Sequence, residues 1–458
     1  MQPLSPLAGR TLRYVAVVML FLTLLLAIGP QAKAQLISQT RAVGGVSINP
    51  EGLLENATVD NMGKLGQLAA KAVGQVPGDL NEAAPLRKVS LRRLEEAIQT
   101  SLNAGNKELP PEIRYLAGLQ QIQYVFVYPE EHDIVLVGPG QGWKADRRGN
   151  IVGVDNGQPV LLLDDLLVAF RSARQAAQGG ISCSIDPTPE GLDRLRIHAS
   201  KLRTIGNPST TAAGIERSLG MQQISVQGVP ASSHFARVLV AADFRMKRLA
   251  MNFEPSPVRG LPSYLQMIKA SGRGMNNMLP RWWLEPNYQE VLKSPDGLAW
   301  ELRGGSVKAM TEEDFLTAAG DREHTGKANP MAKQWADNMT AKYDELAVAE
   351  PIFGELRNCM ELAVVTALIT KERLAERAGG AFALLSDSPD VKTAEFPAPK
   401  QVASKASVMK KGRNWVISAS GGVLINSYVI ADKTRQSDEP AKAKSAAGVP
   451  DKTNWRWN

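Results

Sequence analysis

The sequence predicts an α+β protein: two related, duplicated α+β modules, then a long antiparallel helix pair and a C-terminal hairpin. Internal repetition is the first observation behind this. Gly44-Gly45-Val46-Ser47-Ile48-Asn49-Pro50, followed by Glu51-Gly52-Leu53, returns as Gly179-Gly180-Ile181-Ser182 running on to Ile185-Asp186-Pro187 and Glu190-Gly191-Leu192. Gly118-Leu119-Gln120-Gln121-Ile122 returns as Gly220-Met221-Gln222-Gln223-Ile224, and Val135-Leu136-Val137 as Val238-Leu239-Val240. Gly157, Leu162 and Asp164-Asp165 match Gly305, Met310 and Glu312-Glu313 at one offset. Landmarks kept in order argue for a repeated unit. The second observation is periodicity, since alternating apolar runs and runs of helical period occur together in each unit. The third is a pair of long helical patterns, Pro330 to Leu346 and Glu350 to Arg377, whose apolar stripes must be buried.

In chain order, 1–34 reads as a secretory signal peptide, 35–178 as the first module and 179–320 as the second, enlarged at about 245–285. Next come a helical pair at 321–380, a linker at 381–412, a hairpin at 413–432 and a disordered tail at 433–458. A Gly-Gly pair lets the chain turn tightly into a strand, and Asn-Pro or Asp-Pro after it stops the strand. Leu91, Leu94, Ile98 and Leu102 mark a helix in the first module, as Leu192, Leu195, Ala199 and Leu202 do in the second. Gln123 to Tyr128 and Asp133 to Val137, joined by Pro129-Glu130-Glu131-His132, form a hairpin apolar on both faces and so central in a sheet. Ile224 and Val226 alternate with Ser225 and Gln227, which gives that strand one wetter face. Residues 235–249 carry a conflict. The repeat asks for a strand, whereas Phe235, Val238, Leu239, Ala242, Met246 and Leu249 behind Ser232 and Ser233 ask for a capped helix, the stronger reading. Gly379-Gly380 ends the second long helix. Trp415 to Ser418 and Gly422 to Tyr428 supply the hairpin, and the polar, Lys/Ala/Ser-rich end reads as unstructured.

Export is the functional signal the sequence carries best. Arg10 and Arg13 precede an unbroken apolar run from Tyr14 to Ile28, then Gly29-Pro30 and the small-x-small motif Ala32-Lys33-Ala34, which places the mature start at Gln35. As a helix that run spans about 22 Å, short of a ~30 Å hydrocarbon core, and no later segment reaches a spanning length without charge. The formal charge of +7 loses three bases with the leader, leaving +4 with no clustered basic stripe, so nothing points to nucleic acid. Cys183 and Cys359 are the two cysteines of a chain bound for an oxidising compartment. A bridge between them would stabilise by about 5 kcal/mol in the chain-entropy picture. Both also sit at strand or helix periodicity among apolar neighbours, so each reads equally well as a small core residue.

The search for chemistry yields no catalytic, cofactor or metal residues. His132, His198, His234 and His324 have no second histidine or cysteine at zinc-ligand spacing, and no serine nucleophile motif occurs. His132 and His324 sit in acidic, solvated turns, and His198 on a charged helix face. Cys183 on an apolar strand is too buried to act as a nucleophile. Gly138-Pro139-Gly140-Gln141-Gly142-Trp143 lacks the helix and lysine of a phosphate loop and reads as a flexible loop. Asp164-Asp165 and Glu312-Glu313 read as acids at helix starts. Arg281-Trp282-Trp283, then Trp300, is the one candidate ligand surface, because flat rings stack on sugar faces; Trp282 and Trp283 are adjacent on a strand and point to opposite sides, so at least one ring belongs to the core.

The strings Gly228-Val229-Pro230, Ala236 to Lys247, Arg281-Trp282-Trp283 and Asn287-Tyr288 resemble an uncharacterised, exported bacterial domain-of-unknown-function family, over most of the chain to about residue 430. The resemblance implies export and carries over no catalytic residue. The expectation is an envelope or surface protein, non-enzymatic, that binds or scaffolds another envelope component, protein or glycan. The alternative is a secreted hydrolase of polysaccharide or peptide whose carboxylates are assembled by the fold.

Overall fold

The computed structural model describes residues 45–57, 73–106, 108–146, 148–202, 206–271, 279–316, 322–324, 329–407 and 420–458, with positions 43, 67 and 71. The expected signal peptide and Trp415 to Ser418 lie outside these residues. The strands are β1 Val46–Ile48, β2 Leu53–Asn56, β3 Ala84–Ser90, β4 Tyr124–Tyr128, β5 Asp133–Gly140, β6 Trp143–Ala145, β7 Ile151–Gly153, β8 Ile181–Pro187, β9 Met221–Gln227, β10 Leu279–Asn287, β11 Glu290–Lys293, β12 Ala299–Arg303, β13 Ser306–Leu316, β14 Arg322–His324, β15 Gln401–Ala403, β16 Ser420–Ile425, β17 Thr434–Gln436 and β18 Arg456–Trp457. Nine form one sheet in the order β1-β2-β15-β9-β8-β16-β10-β13-β14, seven form another in the order β17-β11-β12-β4-β5-β3-β18, and β6 pairs with β7. The fold is mixed α+β. Strands from both expected modules occur in each large sheet, so the division at 178 does not coincide with the division between sheets.

Local sequence explains most elements. Helix α1 (Leu91–Asn103) buries Leu91, Leu94 and Ile98 and is capped by Ser90, whose side chain accepts from the Arg93 N–H. Helices α2 (Leu163–Gly179), α3 (Pro189–Lys201) and α4 (Pro208–Leu219) follow, with Leu192, Leu195, Ile215 and Leu219 locking α3 to α4 in a small core of their own. The conflict at 235–249 resolves as a helix, α5 (His234–Ala250), capped by Ser233. The expected hairpin is β4–β5, central in its sheet, and in β9 Ile224 is buried while Gln223 and Ser225 are exposed.

Helices α6 (Tyr264–Ser271), α7 (Pro330–Ala341), α8 (Tyr343–Ala349) and α9 (Pro351–Lys371) complete the body. Every residue of α9 from Ile352 to Ile369 is buried, so it runs through the core against α2, α5 and α8. A helix covered on every side is a core helix, and this one takes Glu355, Arg357 and Glu361 inside with its apolar residues. The first expected long helix breaks at Lys342; α7 lies on β13 and α6, and α8 is the part that meets α9.

Further expectations are corrected. Residues 381–412 contain β15, which is inserted between β2 and β9. The predicted hairpin strand Gly422 to Tyr428 is a strand followed by a short helix, α10 (Ser427–Asp432), and β16 pairs with β8 and β10. The predicted disordered tail is ordered: β17 adds to β11, helix α11 (Glu439–Ala447) covers Phe126, Val135, Val137 and Ala299, and β18 adds to β3. Low hydrophobicity misled there because the partners supply the apolar surface. Glu312 and Glu313 belong to β13, not to a helix start.

The glycine-rich 138–143 run is packed rather than flexible, since a Cβ on Gly138 would lie 1.9 Å from the Gln121 carbonyl oxygen and Trp143 is buried. The bridge between Cys183 and Cys359 is not formed. Both are free and buried, one facing Asp243 and Lys247 of α5, the other facing Asp165 of α2, and burial holds each thiol well above its usual pKa. Thiol titration of the denatured, unreduced protein is therefore expected to count two; a count of zero would contradict this arrangement.

Candidate functional site

Strand alternation sorts the Arg281-Trp282-Trp283 triplet. Trp282 points inward and is fully buried, edge-on to Tyr264 and Trp335 with ring centroids 5.0 Å away in each case, and its indole N–H donates to Ala332 O at 3.4 Å. It is a core residue, as is the fully buried Trp300 of β12, and both leave the candidate ligand surface. Arg281 and Trp283 face the opposite side, where Glu285 and Asn287 continue the row. The Arg281 guanidinium lies over the Trp283 ring, 5.6 Å from its centre, and the Trp283 Nε1–H donates to Glu285 Oε1 at 2.6 Å. The ring is thus pinned, and it is half-buried.

The registers lay the rest of that face around it. Trp283 stands opposite Gly422 of β16 and Met310 of β13, and Glu285 opposite Lys308, with Lys308 Nζ 3.3 Å from Glu285 Oε2. Farther on, Gly422 pairs with Ser184 and Ser184 with Ser225, their hydroxyls 2.8 Å apart, flanked by exposed Gln223 and Gln227. Past Glu285 the face opens into a cavity of about 220 Å³. Asn287, Gln289, Glu290, Lys308 and Lys433 make its polar wall, and Leu424, Val429 and Ile430 its apolar wall. Glu290 is held by Arg435 at 3.1 Å and Arg303 at 3.8 Å. Sequence reading singles out Arg281 and Trp283 but not the pocket, whose walls come from segments more than a hundred residues apart.

The buried acids lie elsewhere. His234 Nδ1 is 3.0 Å from both carboxylate oxygens of Asp165. Burial would lower the His234 pKa, but the charge and hydrogen bond of Asp165, with Glu355 and Asp164 beyond, carry it up to about 9. Burial pushes Glu355 up to about 7. Asp165 is thus an ion-pair partner as well as a first-turn acid, and no local pattern points to a contact across 69 positions. Asp164 accepts from Ala394 N at 3.1 Å, so residues 394–396 lie across the pair, with the Phe396 ring 5.9 Å from His234. His132 adopts a left-handed conformation, and its ring lies within hydrogen-bonding reach of Ala378 O at 3.1 Å; His198 packs against Gly214. The side chain of His324 lies outside the described residues. Among the described residues no group of three or more His, Cys, Asp or Glu is placed to hold a metal ion, and no helix is long and apolar enough to cross a membrane.

No curated protein and no solved structure matches the chain. Residues 183–264, from within β8 through α5 to the start of α6, match a family described as "Protein of unknown function (DUF1598)". That stretch includes the Gly228 to Lys247 strings and stops before Arg281, so the chain carries a segment similar to an uncharacterised family.

Proposed function

We propose that this is an exported, non-enzymatic binding protein of the cell envelope or surface, with its ligand site on the β10–β16 face and in the pocket beyond Glu285. The observation that carries it is the row Arg281, Trp283, Glu285, Asn287 leading into a cavity with one polar and one apolar wall. A pinned ring beside amides and an apolar wall suits a molecule with one hydrophobic and one hydroxyl-bearing face, as sugars have. The two pocket carboxylates, Glu285 and Glu290, each sit in ion pairs, which suits accepting hydrogen bonds from hydroxyls more than exchanging protons. Export rests on the leader sequence. The repeated landmarks read as a duplication, supported by matching backbone angles: Gly45 and Gly180 at φ 75° and 72°, Gly118 and Gly220 at 75° and 70°.

Fluorescence titration of the mature protein with soluble cell-wall glycan fragments is expected to saturate, and Trp283→Ala to weaken binding by roughly tenfold or more. Unchanged affinity in that variant removes this face from consideration. Release of new reducing ends from the fragments favours the hydrolase reading. Protein recovered from envelope or medium is expected to begin at Gln35; soluble intracellular precursor retaining Met1 overturns export.

A further inference from the structure

We infer that residues 434–457 form a detachable strap whose docking closes one wall of the pocket. The strap reaches across the whole seven-stranded sheet, adding β17 at one edge and β18 at the other, with α11 lying over the outer face between them. What it covers is apolar: Phe126, Val135, Val137 and Ala299, with Tyr124 and Tyr128 beside them. What it brings is sparser: Pro440 is the one buried residue of α11 and Pro450 is buried beyond it, Ala443, Ala447 and Trp457 pack on that cluster from partly exposed positions, and partly exposed Trp455 reaches the main core.

Charge and short backbone pairings do the rest of the holding. Arg435 meets Glu290, Glu439 meets Arg303, Lys452 meets Glu131 and Arg456 meets Asp79, while the Lys444 ammonium sits 4.7 Å over the Tyr128 ring. Exposed pairs of this kind contribute little each and weaken with salt. A segment docked this way opens far more readily than the β4–β5 core beneath it.

The root of the strap is also pocket wall. Lys433, next to β17, lines the cavity, as do Glu290 and Val291 of β11, and Val291 pairs with Thr434. Arg303 joins the two, touching pocket residue Glu290 and strap residue Glu439. Undocking therefore takes Arg435 from Glu290, Glu439 from Arg303 and the β17 partner from β11 in one event. A ligand that needs the closed wall favours docking to the same degree that docking favours the ligand. That consequence rests on the ligand-site reading above; the motion does not.

Hydrogen exchange of the full chain, without ligand, tests the motion. Between about 0.1 M and about 1 M salt the screening length falls from about 10 Å to about 3 Å. Over that change, amides of 434–447 and of β11 are expected to exchange roughly tenfold faster while β4 and β5 hold. Arg435→Ala and, independently, Arg303→Ala should do the same at low salt. Strap amides that stay as slow as β4–β5 in all three conditions overturn the strap. Acceleration of the strap with β11 unchanged overturns its link to the pocket.

Discussion

Alanine at Gly421 or Gly422 is expected to cost roughly 3 kcal/mol or more, or to prevent folding. The strand β16 passes between β8 and β10, and there is no room there for a side-chain carbon. A Cβ on Gly421 would lie 1.6 Å from Trp282 O, and one on Gly422 1.8 Å from Cys183 O. Both obstacles are backbone atoms of paired strands, so relief requires breaking the β10–β16 or β8–β16 ladder. Gly421 also has φ +133°, where residues with a side chain are strained. From the inner face Lys247 fixes the same spot, donating to Gly421 O at 3.2 Å, Ile185 O at 3.1 Å and Asp243 Oδ2 at 2.8 Å. Gly179→Ala is the control: nothing lies within 4 Å of its Cβ, and at the end of α2 alanine should be neutral or gain about 0.5 kcal/mol. Chemical denaturation of the three variants measures this. A Gly422→Ala protein within about 1 kcal/mol of the parent would mean that β16 does not lie between β8 and β10.

The same place shows what was legible in the sequence. Gly421-Gly422 reads as another tight entry to a strand, like Gly179-Gly180, because a sequence shows the glycines but not the carbonyls beside them. Periodicity identifies α1, α3, α5 and the β4–β5 hairpin correctly, since each buries a stripe set by its own local spacing. It fails where the partner supplies the apolar surface: α11 is too polar to predict as a docked helix, yet it covers Phe126 and Val135. β15 is three residues long in a polar linker, and its place between β2 and β9 is set by pairing alone. Alternation along β10 predicts that Trp282 and Trp283 part company. It does not say which goes inward; Tyr264 and Trp335 decide that. The pocket was illegible for the same reason, being assembled from β10, β11, β13, β16 and α10.

Thermal stability should be highest near pH 5 and fall steadily toward pH 9, and Glu361→Gln should remove a large part of the fall. Glu361 on α9 is fully enclosed, with Oε1 accepting from the Ile122 N–H. Burial, only partly offset by Ile122, Arg357 and Gln121, carries its pKa up to about 8. In the unfolded chain the group titrates near 4.5, so between those values the native state keeps a proton that the unfolded state has lost. Stability then falls with rising pH, by at most about 1.4 kcal/mol per unit for one group, and levels off above about pH 8. Glu355, up to about 7, and Asp243, up to about 6 despite Lys247, act with the same sign over narrower ranges. His234 adds to the fall at its alkaline end. Its pair with Asp165 contributes fully below pH 6.5, and that contribution is lost as pH rises through about 9. Glutamine at 361 keeps the acceptor for Ile122 and carries no ionisable proton. The variant should match the parent below pH 4.5 and exceed it above pH 8 by on the order of 2 kcal/mol or more. Melting curves from pH 4 to 9 decide it, because a parent that gains stability over this range, or a variant weaker than the parent at pH 9, would mean that Glu361 is ionised and paired in the folded protein.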